Sequence, residues 1–271
     1  MIKASKKRYK KLKDTLNFMG TIRLTEKSLF QGHKVMKSSV LAEAQQLHAG
    51  VYLKRNFISE QDISADGRMH HTADPHQKHS TYFVVRDRAT ERIVATSRQI
   101  ELDNTKLCKS FPLLEKANIE PEWLDYIMDH RLDRVVEISG LAKLKDVSSM
   151  APLYLYRQMW HHSLRQKHDL WLMACDVRLF QRLKILLGDA IIQIGEETGY
   201  QGGNVIPAVV KPKQSLHALI KSALDANFMQ RYVQLLVVEF FISGLPMHAL
   251  ASTDKVELKK IGVLKRAKSI A

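Results

Sequence analysis

Two charged side chains stand in strand-like runs whose alternation governs where they point. Glu137 lies between Val136 and Ile138 in the run Arg134-Val135-Val136-Glu137-Ile138-Ser139-Gly140-Leu141-Ala142. In a strand its carboxylate projects to the face opposite those two side chains. Such a group is either the buried partner of an arginine or a base placed to accept a proton, and the pattern leaves both open. Arg98 ends the run Ile93-Val94-Ala95-Thr96-Ser97-Arg98. Its guanidinium is a fork of donors suited to a carboxylate; it reads equally as a surface strand charge or as the structural partner of Glu137. Asp74, just before Pro75, either orients a bound molecule or caps a turn. His70, His71, His76 and His79 crowd one polar stretch. They form no His-Glu-x-x-His or Cys/His spacing, and a second coordinating pair is missing, so no metal site is expected. His161 and His162 are neighbours on a predicted helix and cannot face one ligand together.

These residues must be held by strands and helices, and the pattern supplies them. Residues 81–87 and 91–100 are two β-rich runs joined by a short polar turn, which predicts a hairpin. The Glu137 run is a third strand. Ser149 and Pro152 signal a helix start, followed by Leu153, Tyr156, Trp160 and Leu164 at helical spacing. Residues 170–175 read as a buried strand. Asp176 caps the next helix and Gly188 ends it. Residues 190–194 and 205–210 are two more strands. Further helical patterns cover 40–48 with an apolar continuation over 51–58, then 216–224, and 232–242, where Val233, Val237 and Val238 would also suit a strand. Residues 59–80 and 102–130 read as irregular. The order predicts an α/β fold in which an antiparallel meander runs into a β-α-β unit.

The 271 residues carry a formal charge of +14, but it is not spread evenly. Residues 1–40 hold eleven Lys or Arg against two acids, and residues 255–271 hold six against one. The body between them is balanced, which argues against a duplex-binding surface there. The start has no apolar signal-peptide region, and no apolar run is long enough to span a bilayer. Cys108 and Cys175 have no near partner and read as reduced thiols. The expected organisation is a basic extension over 1–40, a core over 41–212, and a C-terminal helical segment with a basic tail over 213–271. A cytoplasmic location is expected.

The order of these elements, with their residues, resembles the GNAT acyltransferase fold, and more narrowly the N-acyl amino acid synthases and the related acyl-homoserine lactone synthases. The match runs over about 51–212. It is carried by Val51-Tyr52-Leu53-Lys54-Arg55-Asn56-Phe57, by Asp74 to Phe83, and by Thr96-Ser97-Arg98 within the first long strand pair. It continues with Glu137-Ile138-Ser139, Leu187-Gly188 and Ile194-Gly195-Glu196. Two positions depart from the pattern: Gly140 replaces the arginine usual in lactone synthases, and Ala95 replaces a usual glycine.

The resemblance implies a mixed, mostly antiparallel GNAT-like sheet flanked by helices. It also implies transfer of a fatty acyl chain from a carrier-protein thioester to the amine of an amino-acid-like acceptor. Glu137 would then be the base, Arg98 the anchor of the acceptor's carboxylate, and Ser139 part of the catalytic strand. Asp74, Phe57, Leu141, Ala142, Met173 and Phe180 would contact substrates; Leu141, Met173 and Phe180, with Met150, Met159 and Trp160, line an acyl tunnel or simply form core. Residues 143–150 contain no glycine, unlike many coenzyme A pyrophosphate loops, which favours acyl carrier protein as donor. Lys143 and Lys145 would meet the single phosphate of its phosphopantetheine arm. Lys184 stands where some GNAT enzymes place a tyrosine acid, so no such acid is assigned. No bound cofactor is expected. The basic tails would attract the acidic carrier or an anionic membrane surface. The alternatives are a lactone-type signal synthase and a non-catalytic module whose tails bind nucleic acid.

Overall fold

A computed structural model describes residues 29–101, 111–130, 132–148, 150–200, 203–225, 228–245, 250 and 252–260. Eight strands form one sheet: β1 (Phe30–Lys34), β2 (Ser80–Asp87), β3 (Ile93–Glu101), β4 (Val135–Lys143), β5 (Leu170–Asp176), β6 (Ile191–Gln193), β7 (Thr198–Tyr200) and β8 (Gly203–Val210). Their order is β1-β2-β3-β4-β5-β8-β6, with β7 also on β8. Every pairing is antiparallel except β4 with β5. The predicted mixed, mostly antiparallel sheet is therefore present, and the parallel pair is the one joined by a helical crossover.

The helices are α1 (Ser38–Lys54), α2 (Pro112–Lys116), α3 (Pro121–Met128), α4 (Ala151–Gln166), α5 (Val177–Leu187), α6 (Pro212–Asp225), α7 (Phe228–Ile242) and α8 (Ser252–Lys260). Asp176 caps α5 as its position predicts, its carboxylate accepting from the Arg178 and Leu179 amides at 3.0 and 3.4 Å. Helix α4 starts with Met150 in the cap position and no side-chain cap. The run 232–242 is helical in α7, not a strand.

Three expectations change. Residues 30–34 are not part of an extension but an edge strand, in register with β2 from Phe30↔Asp87 to Lys34↔Phe83. The pattern at 40–48 and the first half of that at 51–58 join into α1, which ends at Lys54. The stretch 102–130 is not wholly irregular: Pro112 and Pro121 each open a short helix, where a missing N–H costs nothing.

Residues 30–215 form one compact unit. Its core gathers Ile100, Phe111, Leu113, Ile127, Val135, Leu170, Leu172, Ile194 and Val209. From Leu216 onward the described residues belong to a second unit, with Leu219, Ile220, Val237, Val238 and Phe241 buried. No helix among the described residues is long and apolar enough to cross a membrane.

The segment between α2 and α3 is tied to the sheet by backbone contacts, with Ala117 and Ile119 packing on the core. Ile119 bridges Gly195, and the Glu120 amide donates to the Ile194 carbonyl at 2.9 Å. A Cβ on Gly195 would lie 2.0 Å from the Asn118 carbonyl oxygen, so only glycine fits. A Cβ on Gly199 would meet nothing within 4 Å. We therefore expect Gly195→Ala to lower stability by about 1–3 kcal/mol in chemical denaturation, while Gly199→Ala stays within about 0.5 kcal/mol. Equal effects would contradict this docking.

Candidate active site

Directly paired residues of adjacent strands share a face. Tyr82 on β2 pairs with Arg98 on β3, and Arg98 with Ser139 on β4. Glu137 lies two residues before Ser139, paired with Ile100 on one side and Leu172 on the other. Tyr82, Arg98, Ser139 and Glu137 therefore project from one face. All but Ser139 are buried.

Arg98 takes its partner from the long loop before β2. Its Nη1 donates to Asp74 Oδ2 at 2.6 Å and to the Tyr82 hydroxyl at 3.2 Å. Both charged side chains are nearly sealed, 6% and 3% exposed. Burial works against the guanidinium's charge, but Tyr82 and Asp74 outweigh it and raise its pKa. Asp74 is thus the ion-pair partner of Arg98. Removing one member of such a pair leaves a buried charge unmatched, at a cost of about 3–5 kcal/mol. Nε of Arg98 has no hydrogen-bond partner.

Glu137 is 2% exposed. Burial pushes its carboxyl up to about 7, although the Leu113 amide, donating to Oε2 at 3.0 Å, and the charge of Arg98 pull the other way. A carboxyl near 7 is suited to exchange protons at neutral pH. The amide comes from α2, the segment docked through Gly195.

Helix α1 adds two residues that the sequence reading did not select. The Tyr52 ring meets the His48 ring edge-on, with centroids 4.2 Å apart. Burial pushes the Tyr52 hydroxyl up to about 12, with Arg98, Asp74 and Glu137 all close enough to act on it. His48 is 1% exposed, and neither ring nitrogen has a hydrogen-bond partner. It faces Gly140, where φ is +64°. There β4 bulges: Arg98 pairs with Ser139 but Thr96 pairs with Ala142, so residues 140 and 141 oppose Ser97 alone. A Cβ on Gly140 would lie 2.9 Å from His48 Cε1. Glycine meets both demands, the left-handed backbone and the close ring.

Just before the bulge, after Ile138, the sheet opens. β4 pairs with β5 only from Val135↔Leu170 to Ile138↔Met173. Residues 174–176 of β5 pair onward with β8, while residues 139–143 of β4 pair only with β3. One edge of β4 is therefore unpaired next to Glu137. Backbone groups on such an edge need partners from elsewhere.

The other selected residues are placed as follows. Met173 is buried beside Ile138, on the face away from Glu137. Leu141 is half-buried and Ala142 buried on the bulged half of β4. Phe57 packs edge-on against Tyr52 at 5.3 Å and lines a cavity of about 700 Å³ with Leu53, Asn56 and Ile58. Phe180 is half-buried on α5. Lys143 turns its ammonium onto the Leu144 and Val147 carbonyls at 2.8 and 2.6 Å, closing its own turn. Lys145 is exposed, and Lys184 donates to the Ile191 carbonyl at 3.2 Å. Met159 and Trp160 are buried in α4. Cys175 is buried and free, its thiol pushed up to about 12 by burial; Cys108 lies outside the described residues. Among the described residues no three His, Cys, Asp or Glu side chains gather as metal ligands would.

In sequence the chain matches no protein-family profile and no curated protein. In structure it is similar to FeeM, an N-acyl amino acid synthase from uncultured soil microbes, with a TM-score of 0.53 at 11% identity over 75% of this chain and 97% of that one. It is also similar to BjaI, a coenzyme A-dependent acyl-homoserine lactone synthase solved with S-adenosylmethionine and isopentyl-CoA. That match has a TM-score of 0.50 at 13% identity over 88% and 99%. A third is TofI in a ternary complex with an inhibitor and MTA, at 0.50 and 19% over 74% and 98%. The fold is that of the N-acyl amino acid and acyl-homoserine lactone synthases. The mixed, mostly antiparallel α/β arrangement expected from the motifs is thereby established as architecture.

The raised pKa of Glu137 has a signed consequence. The folded state holds this proton more tightly than an unfolded chain, whose value is near 4.5. The stability it contributes is full below that value and is lost as pH rises through about 7. We expect carbon-13 NMR of the Glu137 carboxyl to give a midpoint near 7, and Glu137→Gln to abolish this loss of stability. A midpoint near 4.5 would contradict the burial argument.

Proposed function

We propose that this chain is an N-acyltransferase that moves a fatty acyl group from a carrier-protein thioester to the amine of an amino acid. The observation that carries the reading is the unpaired edge of β4 over residues 139–143, beside a buried carboxyl titrating near 7. A pantetheine arm is a chain of amides, and an unpaired strand edge offers it donors and acceptors in strand geometry. The fold shared with FeeM and BjaI supports the same reading.

The chemistry follows from the groups present. The acceptor enters with its amine neutral, and Arg98 offers its unpaired Nε–H to the acceptor's carboxylate. The amine nitrogen attacks the thioester carbon, and its proton passes to Glu137. The carbonyl oxygen becomes an oxyanion that backbone amides of β4 receive. The C–S bond then breaks, and the proton on Glu137 goes to the departing sulfur. The products are an N-acyl amino acid and a free carrier thiol.

Acyl carrier protein is favoured over coenzyme A because several amides at the end of the turn after β4 are already engaged within it. The Val147 amide donates to the Leu144 carbonyl at 3.3 Å, Met150 to Ser148 Oγ at 3.2 Å and Ala151 to the Ser148 carbonyl at 3.2 Å. That leaves a poor cradle for a pyrophosphate. An amino-acid acceptor is favoured over a sulfonium one because Gly140, with His48 filling the space above it, replaces the lactone synthases' arginine. The basic tails would draw in the acidic carrier or an anionic membrane; most of their residues lie outside those described.

Incubation with long-chain acyl carrier protein and pooled amino acids, followed by mass spectrometry of the lipid extract, should reveal an acyl amide. Glu137→Gln should lower its rate about 100-fold or more. No acyl amide from any amino acid would overturn the proposal.

A further inference from the structure

His48 is a buried polar side chain that the steps above leave without a task. It sits in α1, fully covered, and both ring nitrogens lack a hydrogen-bond partner. A buried polar group left unpaired costs about 1–3 kcal/mol, so an imidazole with two such atoms calls for a function. The edge that faces Gly140 is the polar one. Measured from a Cβ built on Gly140, Cε1 lies at 2.9 Å, Nε2 at 3.1 Å and Nδ1 at 3.4 Å. This polar edge therefore abuts the β4 bulge, where pairing with β5 has just ended.

The charge state of the ring is set by its surroundings. Burial, with Arg98 adding to it, drives the His48 pKa well below the ordinary histidine value. Arg98 is the charge that acts on it, Tyr52 packs edge-on against the ring, and Gly140 lies against its polar edge. At neutral pH the ring is an uncharged imidazole with one N–H donor and one acceptor nitrogen. A neutral imidazole is a poor base here, but its N–H can still donate to a developing negative charge. Lys184 occupies the place of the tyrosine acid, and its ammonium is engaged with the Ile191 carbonyl.

We infer that His48 is a further catalytic residue, whose neutral imidazole N–H donates a hydrogen bond to the oxyanion formed when the acceptor amine adds to the thioester. The inference rests on the acyl-transfer reading. The C–N bond forms as the carbonyl electron pair moves to oxygen, and the amine proton goes to Glu137. The imidazole keeps its own proton throughout. When the oxyanion collapses, the C–S bond breaks and Glu137 returns its proton to sulfur. Gly140 is then required because any side chain would push the ring off the bulge.

Two arms test this. In the first, acyl-amide formation is followed for the wild-type chain, His48→Phe and His48→Gln. His48→Phe should lower kcat roughly 100-fold with little change in KM for the acyl carrier, and His48→Gln, which keeps a donor, should recover part of the loss. In the second, histidine-labelled protein is titrated with a fatty-acyl pantetheine whose thioester carbon is replaced by a tetrahedral phosphonate. The His48 N–H resonance should move strongly. If amide forms but His48→Phe keeps kcat within about twofold and the resonance stays still, the role of His48 is overturned and the acyl-transfer reading stands. If no amide forms yet the resonance moves, the assignment of the acceptor fails and the oxyanion contact stands. If neither occurs, both are overturned. Should His48→Phe fail to fold, His48→Gln and the titration decide the matter.

Discussion

The buried pair between Arg98 and Asp74 is the interaction on which the site depends. It joins the middle of β3 to a loop that would otherwise have few fixed points on the sheet. Its cost is high, because two charges leave water, and it is met by short, well-directed hydrogen bonds that include Tyr82. Once formed, it fixes the electrostatics of everything nearby. The positive charge next to Glu137 limits how far burial raises its pKa, and the same charge helps to keep His48 neutral. Burial, opposed by this charge at Glu137 and reinforced by it at His48, yields a carboxyl near neutrality and an uncharged imidazole close to the same guanidinium.

The second constraint is geometric. A parallel pair can stay in register only while both strands keep a common direction, and here β4 departs after Ile138. The bulge at Gly140 increases the bend, and it is glycine that allows both the left-handed backbone and the ring above it. The opening therefore follows from the sequence of one strand. The opposite end of Glu137's environment is held by α2, whose Leu113 amide is positioned by the docking of residues 118–120 on Gly195. Two glycines far apart in sequence thus frame one carboxylate.

How much of this could be read from residue types differs from group to group. The central strands and the crossover helices announce themselves through alternation and caps, as Glu137 between Val136 and Ile138 and Asp176 before α5 illustrate. The partner of Arg98 was not legible, because a strand charge carries no record of which loop residue folds back to it; Asp74 read more readily as a turn cap than as a ligand contact. β1 was hidden because its residues, Phe30-Gln31-Gly32-His33-Lys34, contain one large apolar side chain; pairing with β2 makes it a strand. α2 and α3 are five and eight residues long, too short for a helical period to emerge. His48 shares its helix with Ala44, Leu41 and Leu47 and reads there as ordinary core packing. Its unsatisfied nitrogens are a property of three dimensions only. The charge of +14 had already pointed away from the body and toward the ends, and the site is consistent with that: its buried guanidinium is neutralised by its own carboxylate.

The central claim is that the unpaired edge of β4 receives the donor's pantetheine arm. Its most direct test is a titration of the labelled protein with a non-hydrolysable fatty-acyl pantetheine, following backbone amide resonances. The account predicts that the largest shifts fall on residues 139–143, with smaller ones on the facing end of β5. Shifts confined to other surfaces, with residues 139–143 unmoved, would contradict it.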